Sequence, residues 1–298
     1  MLRRTDSYLV PVTDLLLLLV ALIWGSNFAV VKQTLSEMLP LAFNALRFSL
    51  ASILLCAILL FSEGGFLLNK KDFKGVLLLG IVGHTFYQLL FINGIARTSA
   101  SLSALMMATN PVFVALLGLP ARGEKPSMRL LLGASLSLIG VYVLMYGSQS
   151  GFSLSEKHVF GAVLVLFASL CWAAYTVLSK PYLARYSPLR LTATSAVLGT
   201  IFLDLVAIPS LLTQEWVRVS VAGWAGFSYS FGLAIVTAYI IWDIGIQKVG
   251  PGRTAVYENL TPVVAAFISY LFLGEILTGL QIAGAAMVFL GIYLTKRT

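Results

Sequence analysis

Four side chains of one apolar segment, His84, Tyr87, Gln88 and Phe91, fall at i, i+3, i+4 and i+7 and so share a face if the segment is helical. Three polar groups aligned in so apolar a stretch should look at protein or water rather than at lipid. His84 can change charge near neutral pH, so it could meet a polar solute or carry a proton; a histidine that only hydrogen-bonds across helices is an equal alternative. Trp24 and Asn27 share a face of another apolar segment, and Trp172 and Tyr175 the corresponding face of a third. Rings in mid-segment lie away from the interfacial belt where tryptophan usually sits. A ring-lined cavity would suit amphipathic or aromatic solutes; tight helix packing would use the same residues.

Proline supplies the second kind of signal. Pro111 and Pro262 each remove a backbone donor and free the carbonyl four residues earlier, at Met107 and Glu258. Helices interrupted at matching positions point to a binding site or a hinge, although membrane helices also tolerate proline kinks without either role. Arg47, Asp204, Asp243 and Glu258 are ionisable groups within or at the ends of apolar runs. An Arg or Asp at a helix centre costs about 2.5–3.5 kcal/mol on insertion scales, so each needs a partner or a wet cavity. Arg47 and Asp204 are expected to pair as a gate or brace, Asp243 to face the cytoplasmic mouth, and Glu258 to be the better ligand-binding candidate.

The elements that position these residues follow from composition. Of 298 residues, 59% are hydrophobic and 11% charged, and mean hydropathy is +0.92, against about 45–50% apolar and about 25% charged in soluble domains. Lipid must therefore be the solvent, and an all-α integral membrane protein is the reading. Runs long enough to cross a hydrocarbon core of about 30 Å lie near 14–32, 40–62, 74–94, 99–119, 129–147, 159–180, 189–211, 223–246, 253–273 and 278–295, predicting ten transmembrane helices. The first run is too long, and lacks the cleavage site, for a signal peptide. Cys56 and Cys171 fall inside such runs, as reduced thiols rather than a disulfide framework.

The chain repeats itself. WGSNFAVVK from Trp24 to Lys32 returns as WAAYTVLSK from Trp172 to Lys180, and Pro40 returns as Pro188, at the same 148-residue offset. Gly94, Pro111, Glu124, Gly133, Gly140 and Tyr142 match Gly245, Pro262, Glu275, Gly284, Gly291 and Tyr293 at an offset of 151. A doubled hydrophobic unit is the signature of a transporter built from two structural repeats. The first covers 1–147, a linker 148–158, and the second 159–298.

Basic residues set the orientation. Placing the N-terminus in the cytoplasm puts fifteen of the twenty Lys and Arg in inside segments; Lys32, Arg97, Lys157 and Arg218 lie outside and Arg47 within a span. Both termini are then cytoplasmic, with the linker periplasmic. Five spans per repeat is an odd number, so the second repeat enters from the opposite side: the fold expected is two inverted five-helix repeats sharing a midplane site. Gly133 and Gly140, like Gly284 and Gly291, are seven apart on spans five and ten. That spacing suits close helix packing, a homodimer contact included, rather than substrate.

The net charge of +8 does not gather into a patch, so no nucleic-acid partner is expected. Neither a phosphate-binding loop of the G-x-x-x-x-G-K-[ST] type, an H-E-x-x-H pair, a cysteine cluster nor a G-x-S-x-G elbow occurs. No ATP drive, metal, cofactor or enzymatic activity is expected.

The chain resembles the ten-helix, EamA-type members of the drug/metabolite transporter superfamily. The likeness is carried by WGSNF at 24–28, PLAFNALRF at 40–48, ATNPVF at 108–113 with Gly123 and Glu124, Trp172, NLTPVVA at 259–265 and LGE at 273–275. It covers about 14 to 295 and rests on order, spacing and duplication rather than on one motif. The resemblance implies a central cavity formed by spans one, three, four, six, eight and nine, with five and ten outside it. It further implies a secondary carrier in a cytoplasmic membrane, commonly an exporter of amino acids or related metabolites. Ser195 stands where the first half has Arg47, so any role of that arginine is not duplicated.

The combined expectation is a bacterial inner-membrane exporter of small metabolites, amino acids foremost. Its substrate would contact Trp24, Asn27, His84, Tyr87, Gln88, Asn110, Trp172, Tyr175, Tyr239 and Glu258 and be exposed by rocking around Pro111 and Pro262. Proton coupling through His84 or Glu258 and facilitated diffusion fit equally. The alternatives are a nucleotide-sugar or phosphorylated-metabolite exchanger, which should bring several Lys or Arg to the cavity, and a non-transporting membrane helper or lipid-handling protein.

Overall fold

The computed structural model describes residues 12–65, 68–122, 128–147 and 156–296. Among these residues the chain is helical between short connections, with no strand. Ten rods follow in order: α1 (Val12–Thr34), α2 (Pro40–Glu63), α3 (Phe73–Arg97), α4 (Ala100–Met107 continuing as Asn110–Arg122) and α5 (Met128–Gly147), then α6 (Glu156–Leu183), α7 (Pro188–Thr213), α8 (Val221–Val249), α9 (Pro251–Leu273) and α10 (Gly279–Lys296). Eight of them, all except α5 and α10, are long and apolar enough to cross a membrane by length and composition. The protein is thus an all-α membrane protein, while the ten crossings expected are not reached by that measure among the described residues. The Gly123–Glu124 pair and linker residues 148–155 lie outside the described residues; α6 starts at Glu156, inside the expected linker.

The rods start and stop where local chemistry dictates. Pro40 and Pro188 occupy the first helical turns of α2 and α7, where their missing N–H costs nothing. Side chains of Ser99, Ser187 and Ser220 accept the otherwise orphaned N–H groups of Leu102, Arg190 and Gly223 at the starts of α4, α7 and α8. Gly64, with φ 74°, closes α2 in the left-handed conformation that glycine adopts without strain.

Four interruptions divide the rods, and they come in matched pairs. α4 breaks between Met107 and Asn110, just before Pro111, and α9 tightens to a 3-10 turn at Glu258–Leu260, just before Pro262. α3 widens to a π turn at Ile81–Phe86 and α8 at Gly232–Thr237, again 151 positions apart. The packing obeys the same exchange. α1 lies on α8 and α9 as α6 lies on α3 and α4; α2 meets α8 as α7 meets α3; α2 pairs with α7, and α5 with α10. On the α5–α10 pair, a Cβ placed on Gly291 would stand 2.5 Å from the Gly133 carbonyl oxygen, and one on Gly140 2.8 Å from that of Gly284. The glycines let these two backbones approach until nothing larger fits. Large apolar side chains such as Phe61 and Phe272 point away from the bundle, as lipid requires.

Candidate functional site

At the centre of the bundle a cavity of about 30 Å³ is lined by Trp24, Asn27 and Phe28 of α1, Arg47 of α2, Tyr87, Gln88 and Phe91 of α3, Met107 of α4, Ala234, Ile235 and Tyr239 of α8, and Glu258 and Thr261 of α9. That volume holds a water or two, not a metabolite-sized solute. All four helix interruptions reach this region: Met107 and Glu258 stand at the breaks, Ala234 and Ile235 within one π turn, and Tyr87 next to the other. The Trp24 indole N–H donates to the carbonyl of Ala234 inside that turn, at 2.9 Å. Irregular backbone is tolerated at membrane depth where it lines such a cavity, and π turns recur at functional sites.

Arg47 is only 2% exposed. Its Nε donates to Asn44 Oδ1 at 2.9 Å, Nη1 to Ser230 Oγ at 2.7 Å and Nη2 to Gln88 Oε1 at 2.7 Å. Its guanidinium also lies over the Phe43 ring, 4.9 Å from the centroid. Hydrogen bonds to a charged group contribute about 1.5–3 kcal/mol each, so three of them offset an insertion cost of about 2.5–3.5 kcal/mol. The charge survives without a carboxylate: among the described residues none bonds to it. Gln88 then passes the network on, its Nε2 donating to the Tyr239 hydroxyl at 2.9 Å.

The expected pairing of Arg47 with Asp204 is therefore corrected. Asp204 accepts from Ser49 Oγ at 2.7 Å and faces a groove between α2 and α7. Ser49 and Arg47 are two positions apart on one helix, hence about 200° apart around it, so their partners cannot coincide. Asp243 is corrected too. It is fully buried rather than at a mouth, and its Oδ2 accepts from Tyr175 at 2.9 Å and Thr192 at 2.7 Å.

Glu258, at the break in α9, accepts a short hydrogen bond from the Asn110 side-chain amide at the break in α4, so the two interrupted helices are tied by their own polar side chains. Behind the lining lies a layer of rings. Trp24 meets Trp172 edge-on at 5.6 Å and Trp242 at 5.0 Å; Trp172 stacks on Tyr175 at 5.0 Å and meets Tyr239 at 5.0 Å. His84 is fully buried in that layer, stacked on Tyr239 at 5.6 Å, with Nε2 3.0 Å from Ser195 Oγ.

Of the residues singled out from sequence, Trp24, Asn27, Tyr87, Gln88, Tyr239 and Glu258 line the cavity, whereas His84, Trp172, Tyr175 and Asn110 stand one layer behind it. Phe28, Met107, Ala234, Ile235 and Thr261 were not anticipated, and Arg47 was expected as a brace rather than a wall. Met107 and Thr261 flank the two breaks, so the prolines were their signal; Ala234 and Ile235 had none beyond the repeat offset.

Comparison with known proteins places these features in context. Residues 12–146 and 159–297 each match the family described as the EamA-like transporter family. An "Uncharacterized transporter" of Archaeoglobus fulgidus is 32% identical, over 95% of this chain and 96% of its own length. A protein of Salmonella typhimurium named "Probable amino-acid metabolite efflux pump" is 29% identical over 94% of this chain and 93% of its own length. A crystal structure superposes on 95% of this chain and 96% of its own with a TM-score of 0.67 at 19% identity, a likeness of fold.

Proposed function

This chain belongs to the EamA-like transporter family, and from that premise we propose that it exports small zwitterionic metabolites, amino acids foremost, across a bacterial inner membrane by alternating access. The observation that carries the substrate class is a guanidinium and a carboxyl group that line one cavity without bonding each other. Arg47 and Glu258 line the same cavity, yet Arg47 is held by three neutral acceptors and Glu258 by an amide. Neither neutralises the other. An α-amino acid brings a carboxylate for the guanidinium and an ammonium for the carboxylate, and the rings of Trp24, Phe28 and Phe91 suit its side chain. Such charge-assisted bonds are the strong ones, and both groups are already desolvated. The Salmonella relative's name, with its amino-acid metabolites and efflux, agrees with this reading.

Alternating access requires two shapes of the same walls. The matched breaks near Pro111 and Pro262 and the matched π turns are the places where the halves can flex, and exchange of conformations between inverted halves would open the cavity to each side in turn. Among the described residues three ion pairs join the halves at the end expected to be cytoplasmic: Arg253 to Asp14 at 3.0 Å, Arg185 to Asp72 at 2.8 Å and Arg190 to Glu63 at 3.2 Å. They would have to part for substrate to enter.

A phosphorylated-metabolite exchanger is the weaker reading, because among the described residues Arg47 is the only Lys or Arg that lines the cavity and a phosphate is usually met by several. A helper without transport is disfavoured by the polar lining. Counterflow in proteoliposomes decides: labelled amino acids should accumulate against an unlabelled internal pool, and movement of phosphorylated solutes alone would refute the proposal.

A further inference from the structure

The mechanism above uses Arg47 and Glu258 and leaves a second buried acid without a task. Asp243 lies in α8 one helical turn beyond Tyr239 and is 0% exposed. Its Oδ2 accepts from the hydroxyls of Tyr175 on α6 and Thr192 on α7, and its Oδ1 has no partner. Among the described residues no cation bonds to it. An acid so placed must be relieved by a proton or a small cation whenever the donors around it rearrange, because two neutral hydroxyls do not cancel a charge in a dry bundle.

The surroundings narrow the choice. Tyr175 of α6 and Thr192 of α7 bond Asp243 directly; one step further out, His84 of α3 faces the Tyr175 ring at 5.2 Å and Ser195 Oγ of α7 at 3.0 Å, and Tyr239, one turn earlier on α8, stacks on His84. Arg253 and Asp14, at the same end of α9 and α1, bind each other; Arg190 of α7 binds Glu63. Among the described residues three oxygen-bearing side chains, Asp243, Tyr175 and Thr192, bond together at the site, fewer than the six to eight oxygens that a hard divalent cation takes. A proton needs no such shell.

We infer that Asp243 is a proton-binding site separate from the substrate cavity, and that its loading couples export to proton movement down its gradient. The inference rests on the export reading above and supplies its energy source. The route from this acid to the cavity is continuous. The Tyr175 hydroxyl is engaged by the carboxylate, its ring stacks on Trp172 at an interplanar angle of 13°, and Trp172 bears on Trp24 and Tyr239, which line the cavity. Loading Asp243 with a proton removes its demand for both hydroxyls, freeing Tyr175 and the ring layer to move. Substrate and proton then bias one two-state element from opposite sides of that layer.

The test uses purified full-length protein in proteoliposomes carrying a pyranine pH reporter inside. Wild type should move protons when an exported amino acid is added, and should drive its net transport with an imposed pH gradient. Asp243→Asn should keep amino-acid counterflow within about threefold of wild type but lose gradient-driven transport and the pyranine signal. Thr192→Val, which removes one donor and keeps the acid, should shift the pH at which gradient-driven transport is half-maximal while counterflow persists. Gradient-driven transport by Asp243→Asn equal to wild type overturns the inference, as does a wild type driven by sodium rather than protons. Loss of counterflow in Asp243→Asn, with an unchanged melting temperature, would make Asp243 part of the substrate site and overturn it equally. A wild type that exchanges amino acids without responding to pH defeats the inference alone; a wild type that exchanges none defeats the export reading.

Discussion

Gln88 and Tyr239 are 151 positions apart, the offset of the repeat, and they hydrogen-bond each other at 2.9 Å. Ser52 and Thr200 do the same at the 148-residue offset, hydroxyl to hydroxyl, at 2.9 Å. A residue can touch its own counterpart only near an axis that exchanges the halves, so these two bonds mark that axis. One of them sits in the cavity wall. The network that holds Arg47 thus hangs on the seam between repeats, and motion of one half against the other must strain it.

The first prediction concerns the guanidinium fork. Arg47 satisfies three acceptors in different directions at once, which an ammonium on a flexible stem cannot reproduce. Arg47→Lys should lower kcat/KM for an amino acid by at least about tenfold, equivalent to about 1.4 kcal/mol. It should lower the value for the matching amine, which lacks the carboxylate, far less. Equal losses for both solutes would remove Arg47 from carboxylate recognition.

Glu258→Gln is the complementary experiment. It keeps the shape and an acceptor for Asn110 but removes the charge that an ammonium would meet. An N-acetylated amino acid should compete with wild-type transport poorly and with the variant about as well as the free amino acid does. Competition unchanged by the substitution would show that the ammonium is read elsewhere.

How much of this was legible in the residues follows from which signals are local. Proline marks its own break, so the interruptions near Met107 and Glu258 could be placed from Pro111 and Pro262 alone. A π turn has no such residue. Ile81–Phe86 reads IVGHTF and Gly232–Thr237 reads GLAIVT; only their shared offset, once seen in the fold, betrays them. The partners of buried charges were the least legible. Opposite sign suggested Arg47 with Asp204, but three neutral acceptors from three other positions satisfy the arginine, and such a set assembles only in the tertiary structure. Asp243 failed for the same reason: its depth is set by how α6, α7 and α8 pack, not by its distance along α8.

Glu275 tests a structural role for the acid that ends LGE. Its two carboxylate oxygens accept the N–H groups of Ala100 and Ser101 at 3.0 and 2.9 Å, so the second repeat caps the first turn of α4. A carboxylate there answers both the orphan donors and the positive end of the helix dipole. Glu275→Ala should cost about 1–2 kcal/mol of stability, seen as a lower melting temperature in detergent. The KM of the protein that remains folded should not change. A changed KM with an unchanged melting temperature would move Glu275 into the transport machinery.

Inversion of the two halves is the last prediction and the one on which alternating access depends. The packing scheme is preserved by exchanging halves, but that exchange alone does not say how the axis lies relative to a bilayer. Orientation enters through the loops. Lys70 and Lys71, between α2 and α3, should be cytoplasmic by the excess of basic residues on that side. The connection between α7 and α8, which carries Arg218 alone among the basic residues, should be external. Lys70 belongs to an exposed turn and Val217, fully exposed, to the single 3-10 turn Trp216–Arg218, so a cysteine at either position is open to reagent without disturbing any of the ten rods. In intact cells a membrane-impermeant maleimide should label Val217→Cys at once and Lys70→Cys only after permeabilisation. The α2–α3 and α7–α8 connections are counterparts in the two repeats, so opposite labelling is what inversion means. Labelling of both from the same side would make the repeats parallel and remove the geometric basis for a cavity that opens alternately.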